Sequence, residues 1–196
     1  MFSLESIPIK GLADKMTDKE FAEFCAANRD YRIERDKRGN ILFSTPARSA
    51  TGLYEGEIAS ALKVWSKQTK TGIAFSSSTG FKLPNTAIRS PDASWVSMEK
   101  WQSLTKAEKT SFAPICPEFV VEVRSKTDSL ERVKEKMLEW IENGTLLGWL
   151  IDIANEKTLI YRADGSIEII RGFDKILEGE DVLPGFTFDL NNLQLP

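Results

Sequence analysis

One stretch of twenty residues, PEFVVEVRSKTDSLERVKEK at 117–136, constrains the fold more than any other part of the chain. It opens on an apolar run, 119–124, that reads as a buried strand, and a helical pattern follows from about residue 129 to 143. A second apolar run, 146–153, reads as another central strand. Strand, helix and strand in this order imply two parallel strands joined by a right-handed crossover. The first strand carries a single carboxylate, Glu122, between two valines. Burying such a charge is costly unless it is paired or bound to a metal. The rest of the sequence must supply its partner.

The helical segment offers candidates. At about 100° per residue, Leu130, Val133, Met137, Trp140 and Ile141 fall on one apolar stripe. Lys136 sits at one edge of that stripe, where a long side chain can reach over the sheet, and Lys134 sits at the other. A second amphipathic helix is expected over 52–69, with Tyr54, Ile58, Ala61, Leu62 and Trp65 on its inner face. Glu57 borders that face on one side and Glu55 borders it about equally on the other, so periodicity does not choose between them.

Around these elements the chain carries sharp local signals. Thr17-Asp18-Lys19-Glu20 has the form of a capping box that opens a helix running to about Asn28, with 1–16 as an extended lead-in. Strands at 31–34 and 40–44 flank a turn at Lys37-Arg38-Gly39-Asn40. Residues 72–83 read as one strand with a polar centre, Ser76-Ser77-Ser78-Thr79-Gly80. Residues 93–96 read as a strand with Pro91 at its mouth, where a missing N–H is tolerated. A short capped helix is expected within 98–113, a hairpin at 159–170 around Ala163-Asp164-Gly165-Ser166, and an edge segment with turns near the C-terminus. The pattern predicts an α/β fold, a mixed central β-sheet flanked by α-helices, in one domain over 1–196. Residues 1–50 would form an N-terminal helix and hairpin, and 51–196 the core.

Composition narrows the chemistry. There is no histidine, which removes Ser-His-Asp and Cys-His catalysis and histidine-ligated metals. Cys25 and Cys116 stand far apart and in no metal-ligand spacing, so both read as small apolar side chains. An enzyme built from this chain works with carboxylates, Lys or Arg, hydroxyls and a hard metal. The net charge of −3 weighs against a free-standing nucleic-acid binder but not against a local basic patch. No apolar run approaches the ~20 residues of a bilayer span. MFSLESIPIKG lacks the basic and apolar regions of a signal peptide, so a cytoplasmic location is expected.

Asp92, Glu122 and Glu57 are the carboxylates that stand out, with Lys136 beside them. Two or three carboxylates can hold Mg²⁺ or Mn²⁺ while leaving positions open to water and phosphate. A nearby lysine can orient the attacking water or neutralise developing charge. Phosphodiester hydrolysis wants this set. Each residue also has a structural reading: Asp92 as a turn or strand-start residue after proline, Glu122 as the partner of Arg124 or another basic residue, and Glu57 and Lys136 as solvated helix-edge charges. The serine run reads equally as an edge strand or a phosphate-facing loop.

Taken together, SSSTGFKLPN, RSPDASWV, PEFVVEVRSKTDSLERVKEKMLEWIENGTLLGWLID and GEDVLPGF resemble the Uma-two family, a branch of the restriction-endonuclease-like PD-(D/E)xK superfamily. The resemblance covers about residues 50–190. It implies a restriction-endonuclease-like fold, Mg²⁺- or Mn²⁺-dependent cleavage of DNA, and a homodimer. Asp92 matches the motif aspartate, Glu122 the motif acid and Glu57 a helical glutamate found in some members. The position two residues after Glu122 should be Lys but is Arg124, which stays protonated and cannot act as a base. The resemblance carries the lysine role to Lys136 of the Lys-Met pair, with Arg124, Lys126 and Lys134 as alternates. It also implies the Val123 carbonyl as a metal ligand, and Ser76, Ser78, Thr79, Arg124 and Lys126 as phosphate contacts. A second expectation keeps the fold without the chemistry, as a silent DNA-binding or assembly module.

Overall fold

The computed structural model describes residues 16–44, 46–126 and 128–194. The lead-in predicted for 1–16 therefore lies almost wholly outside the described residues.

The capping box closes as its residue types require. Thr17 caps α1 (Asp18–Ala27), with its hydroxyl accepting the Glu20 N–H while the Glu20 carboxylate accepts the Thr17 N–H. The hairpin follows as β1 (Arg32–Arg35) and β2 (Ile41–Ser44), turned by Gly39 at φ 88°. The next helix, α2 (Ser49–Thr69), starts earlier than the pattern predicts, and Lys70 closes it in the left-handed conformation. Its buried residues are Tyr54, Ile58, Leu62, Trp65 and Ser66.

The single strand expected over 72–83 is two. β3 (Gly72–Ser76) stops at the serine run, where Thr79 N–H donates to Ser76 O, and a short β4 (Phe81–Lys82) follows. Consecutive hydroxyl side chains favour such a turn over a continued ladder. Then come β5 (Ile88–Arg89), β6 (Ala93–Ser97), α3 (Met98–Ser103) and α4 (Lys106–Lys109). The crossover unit consists of β7 (Phe119–Arg124), α5 (Leu130–Glu142) and β8 (Leu147–Asp152). Gly144, at φ 112°, provides the stop after α5 that a residue with a Cβ resists. β9 (Lys157–Arg162), β10 (Ile167–Arg171), β11 (Ile176–Glu178) and β12 (Thr187–Asp189) complete the chain.

The main sheet has the order β10-β9-β8-β7-β6-β3. β7 and β8 run parallel, as the crossover demands, and the other neighbours are antiparallel. A smaller sheet, β2-β1-β5-β4, leans on α1, and β11 pairs with β12. Side chains alternate across β7. Phe119, Val121 and Val123 enter the core under α2 and the C-terminal segment, where Phe186 stacks on Trp149. Val120 faces the other core, under α5 with Met137 and Trp140. Glu122 shares the Val120 side by the same alternation. Both cysteines are free, Cys116 buried and Cys25 half-buried. Among the described residues no helix is long and apolar enough to cross a membrane.

Candidate active site

The centre of the candidate site is one buried ammonium group. Lys136 Nζ lies 2.9 Å from Glu122 Oε1, 2.9 Å from Glu34 Oε1 and 2.9 Å from the Ser90 carbonyl oxygen. Three acceptors meet three N–H donors, so the ammonium is satisfied without water. Helix α5 and strand β7 are the two halves of the crossover, and their packing brings Lys136 over Glu122. Trp140, one turn further along α5, donates its indole N–H to Glu122 Oε1 at 2.9 Å.

Asp92 stands beside this pair, immediately before β6. Its N–H donates to Val121 O, which ties it to the edge of β7. Its Oδ2 accepts the Val123 N–H at 2.7 Å and its Oδ1 accepts from Arg32 at 2.7 Å. In an extended strand the carbonyl of a residue points to the same side as its N–H. The Val123 carbonyl therefore looks toward the Asp92 edge of β7. Arg32 also donates to the Ser90 carbonyl, which thus serves both cations.

The hairpin contributes more than the sequence indicates. Arg32 and Glu34 are two residues apart on β1 and share its inward face, while Ile33 and Arg35 turn to α1. Glu34 accepts the Ser90 N–H at 2.8 Å and pairs with Arg89 at 3.2 Å. Arg89 in turn pairs with Glu139 of α5 at 2.6 Å. Charged residues alternating with Ile33 in RIER are the one signal that could have pointed here, and a solvated hairpin face reads the same way.

The structure corrects the choice on α2. Glu57 is exposed and takes no part in the cluster. Glu55, half-buried on the other edge of the helix, feels the charges of Asp92, Arg32 and Lys136 and is hydrogen-bonded by Ser77. The rotation of α2 about its axis separates the two, and only packing sets that rotation. Among the lysine alternates, Lys134 pairs with Glu131 on the surface, Arg124 is held by Asp152 at 2.8 Å, and Lys126 is exposed. Arg124 is thus not the structural partner of Glu122; another basic residue, Lys136, is. Ser76 and Ser78 are exposed at the end of β3, bonded to each other at 3.1 Å, with Thr79 beside them.

Electrostatics separate these carboxylates. Burial pushes Glu122 up to about 7; Lys136 opposes this and Asp92 adds to it. Burial and then the Asp92 charge likewise raise Glu55 to about 7. Glu34 is also buried, but Lys136, Arg89 and Arg32 outweigh that and hold it at about 2. Burial disfavours the Lys136 charge, yet Glu122 and Glu34 raise its pKa overall, so the amine stays protonated. Five carboxylates (Glu34, Glu55, Asp92, Glu122 and Glu139) thus face three cations, Arg32, Arg89 and Lys136. An acidic excess of this kind accommodates a further cation. Among the described residues no three acidic or thiol side chains sit close enough to cage an ion as they stand. Two carboxylates, Asp92 and Glu122, with the Val123 carbonyl are the oxygen donors that could hold one hard cation if their present protein cations gave way.

Trp140→Phe keeps the ring in the core and deletes one donor to Glu122. It is expected to destabilise the protein by about 1–3 kcal/mol, read as a lower urea midpoint at unchanged slope.

No curated protein matches the chain. A solved structure described as "a putative nuclease belonging to DUF820", from Anabaena variabilis, superposes with a TM-score of 0.70. It is 19% identical, and the match covers 91% of this chain and 97% of that one. At that identity the likeness shows the shared fold. The Uma2 family model, "Putative restriction endonuclease", matches residues 18–191, a span that takes in the hairpin as well as every residue of the charged cluster. The chain therefore belongs to the Uma2 family of restriction-endonuclease-like proteins.

Proposed function

We propose that the protein is a metal-dependent nuclease that hydrolyses phosphodiester bonds of DNA. The observation that carries this reading is the convergence of Asp92, Glu122 and Lys136, from three separate segments, on one buried site. Asp92, Glu122 and the Val123 carbonyl would hold Mg²⁺ or Mn²⁺, with Glu55 taking the supporting place that the family resemblance gave to Glu57. A cation held by these residues would supply polarisation of the phosphate and a lower pKa for a bound water. Glu122 and Glu34 keep Lys136 charged, so it acts as a donor and counter-charge to the phosphate rather than as a base. Ser76, Ser78, Thr79 and Lys126 supply phosphate contacts at the rim. Arg124, already paired with Asp152, supports β7 and β8 rather than substrate. The hairpin and the core act as one domain, since Arg32 and Glu34 belong to the site. A homodimer is part of the same reading, and sedimentation tests it.

Purified protein is expected to nick supercoiled plasmid with Mg²⁺ or Mn²⁺ and to stop on addition of EDTA. Glu122→Gln should remove the activity, Glu55→Gln should lower it by about 10–100-fold, and Glu57→Gln should leave it unchanged. Nicking that survives EDTA and Glu122→Gln rules the mechanism out. Equal effects at positions 55 and 57 rule out the assignment of Glu55.

A second reading rests on one observation: Asp92 and Glu122 already have protein cations, Arg32 and Lys136. A silent DNA-binding or assembly module of this fold would keep them so. Calorimetry with Mn²⁺ separates the two readings. A nuclease binds the ion as wild type and not as Glu122→Gln, and a silent module binds it in neither form.

A further inference from the structure

The cations on Asp92 and Glu122 are not equivalent. Lys136 makes its bonds to Glu122, Glu34 and Ser90 from within a helix. Withdrawing it would leave Glu122 without its direct counter-charge and Glu34 with Arg89 alone at ion-pair distance. Arg32 is the first residue of β1, and its side chain is 27% exposed, against 18% for Lys136 and 8% for Asp92. Tyr31 beside it is open to solvent. If the Arg32 side chain swings outward, the Ser90 carbonyl keeps the Lys136 ammonium as a donor. Asp92 Oδ2 keeps the Val123 N–H. The guanidinium itself finds water. Asp92 Oδ1 is left open, on the carboxylate that the metal reading requires, while Glu34 and Glu122 lose a neighbouring charge but keep Lys136.

We propose that Arg32 and the divalent ion are alternative partners of Asp92. Arg32 holds the carboxylate in the metal-free protein and withdraws to the mouth of the site when the ion binds. A divalent ion on Asp92 and a guanidinium bonded to the same carboxylate repel at close range, and burial weakens the screening between them. The backbone N–H of Val123 is fixed in β7, so Arg32 is the partner that can move. Arg32 is thus a positioning residue: it preserves the Asp92 geometry without metal and sets the free-ion concentration at which the site loads. The assignment rests on the metal reading above, and its test distinguishes failure of the one from failure of the other.

The test is Mn²⁺ calorimetry and thermal unfolding of wild type, Arg32→Gln and Arg32→Lys. A site whose carboxylate is mostly occupied by an internal cation binds its ion more weakly in proportion to the occupied fraction. Arg32→Gln should bind Mn²⁺ about tenfold more tightly than wild type, corresponding to an Asp92 that is free about a tenth of the time. Arg32→Lys should fall between the two. Without metal, Arg32→Gln should unfold at a lower temperature than wild type, and Mn²⁺ should raise its melting temperature by more. Equal or weaker binding by Arg32→Gln overturns the assignment alone. No binding by any of the three proteins overturns the metal reading and this assignment with it. A measurement on the wild-type protein covers the case of a variant that does not fold. The Arg32 guanidinium protons should be protected from solvent exchange without metal and lose that protection on titration with Mg²⁺. Protection retained at saturating Mg²⁺ overturns the assignment.

Discussion

Asp92→Asn is expected to abolish nicking while leaving the protein folded. The chemical loss should be on the order of a thousandfold or more, because a metal-assisted step draws several kcal/mol from the ion and each ~1.4 kcal/mol is tenfold in rate. The structural loss should be small. The asparagine carbonyl can still accept the Val123 N–H, so the edge of β7 stays satisfied. Arg32 loses its carboxylate but lies near the surface and can turn to water. About 1–2 kcal/mol is a fair estimate for that bond. For a chain of this length this lowers the melting temperature by roughly 2–8 °C. Plasmid nicking and circular-dichroism melting on one preparation check both halves. A folded Asp92→Asn protein that nicks at the wild-type rate would falsify the metal assignment.

Lys136→Met should show the opposite balance, with a large structural loss beside the catalytic one. Methionine nearly matches the stem in volume, so the space that the side chain fills changes little. What disappears is the counter-charge of Glu122 and one of the two cations paired with Glu34, which keeps Arg89. Removing one partner of a buried pair costs about 3–5 kcal/mol, or roughly 6–20 °C in melting temperature for a chain of this size.

The loss depends on pH, and its sign follows from the two carboxylates. Glu34 is held at about 2, below the ordinary 4.5, so its contribution is present above 4.5 and is lost as pH falls toward 2. Lys136 is the first of the charges that hold it down, ahead of Arg89 and Arg32, so the variant lacks the largest single part of that contribution. Glu122 is raised to about 7 even with Lys136 present, and without it the carboxyl holds its proton to still higher pH. Protonation relieves the unpaired charge. The stability gap between wild type and Lys136→Met should therefore be widest above pH 7 and should shrink as pH falls below 4.5. A gap that is constant from pH 4 to 8 would show that Lys136 contributes through packing alone.

Much of the centre was legible in the sequence because its parts lie in strongly patterned segments. Glu122 announces itself as a lone charge among valines. Asp92 sits behind Pro91 at the mouth of an apolar strand. Capping boxes and the Gly144 stop are local chemistry, and they form in the structure from the residues that signal them. The serine run left an edge strand and a loop equally open between Phe75 and Phe81, and the chain turns there, at Ser77 and Ser78. Arg32 and Glu34 were missed for another reason. A charge on a short hairpin strand has the same periodicity whether that face meets water or a buried lysine.

The sequence by itself determined the parallel pair β7 and β8 and the crossover helix between them, because periods of two and 3.6 residues leave few ways to bury those apolar faces. It also determined the chemical vocabulary, carboxylates and ammonium groups without imidazole. The tertiary structure decided which charges meet. Glu55 rather than Glu57 turns inward because the packing of α2 sets its rotation, and both lie at similar angles to the apolar stripe. Lys136 reaches Glu122 because α5 lies across β7, and its other carboxylate, Glu34, comes from about a hundred residues earlier in the chain. The unexplained charge in the core strand thus has a direct partner in Lys136 and a neighbour in Asp92. Arg32, from the hairpin, holds the carboxylate on which a metal would have to bind. Long-range pairing of this kind depends on the distance between elements after folding, which no local pattern encodes.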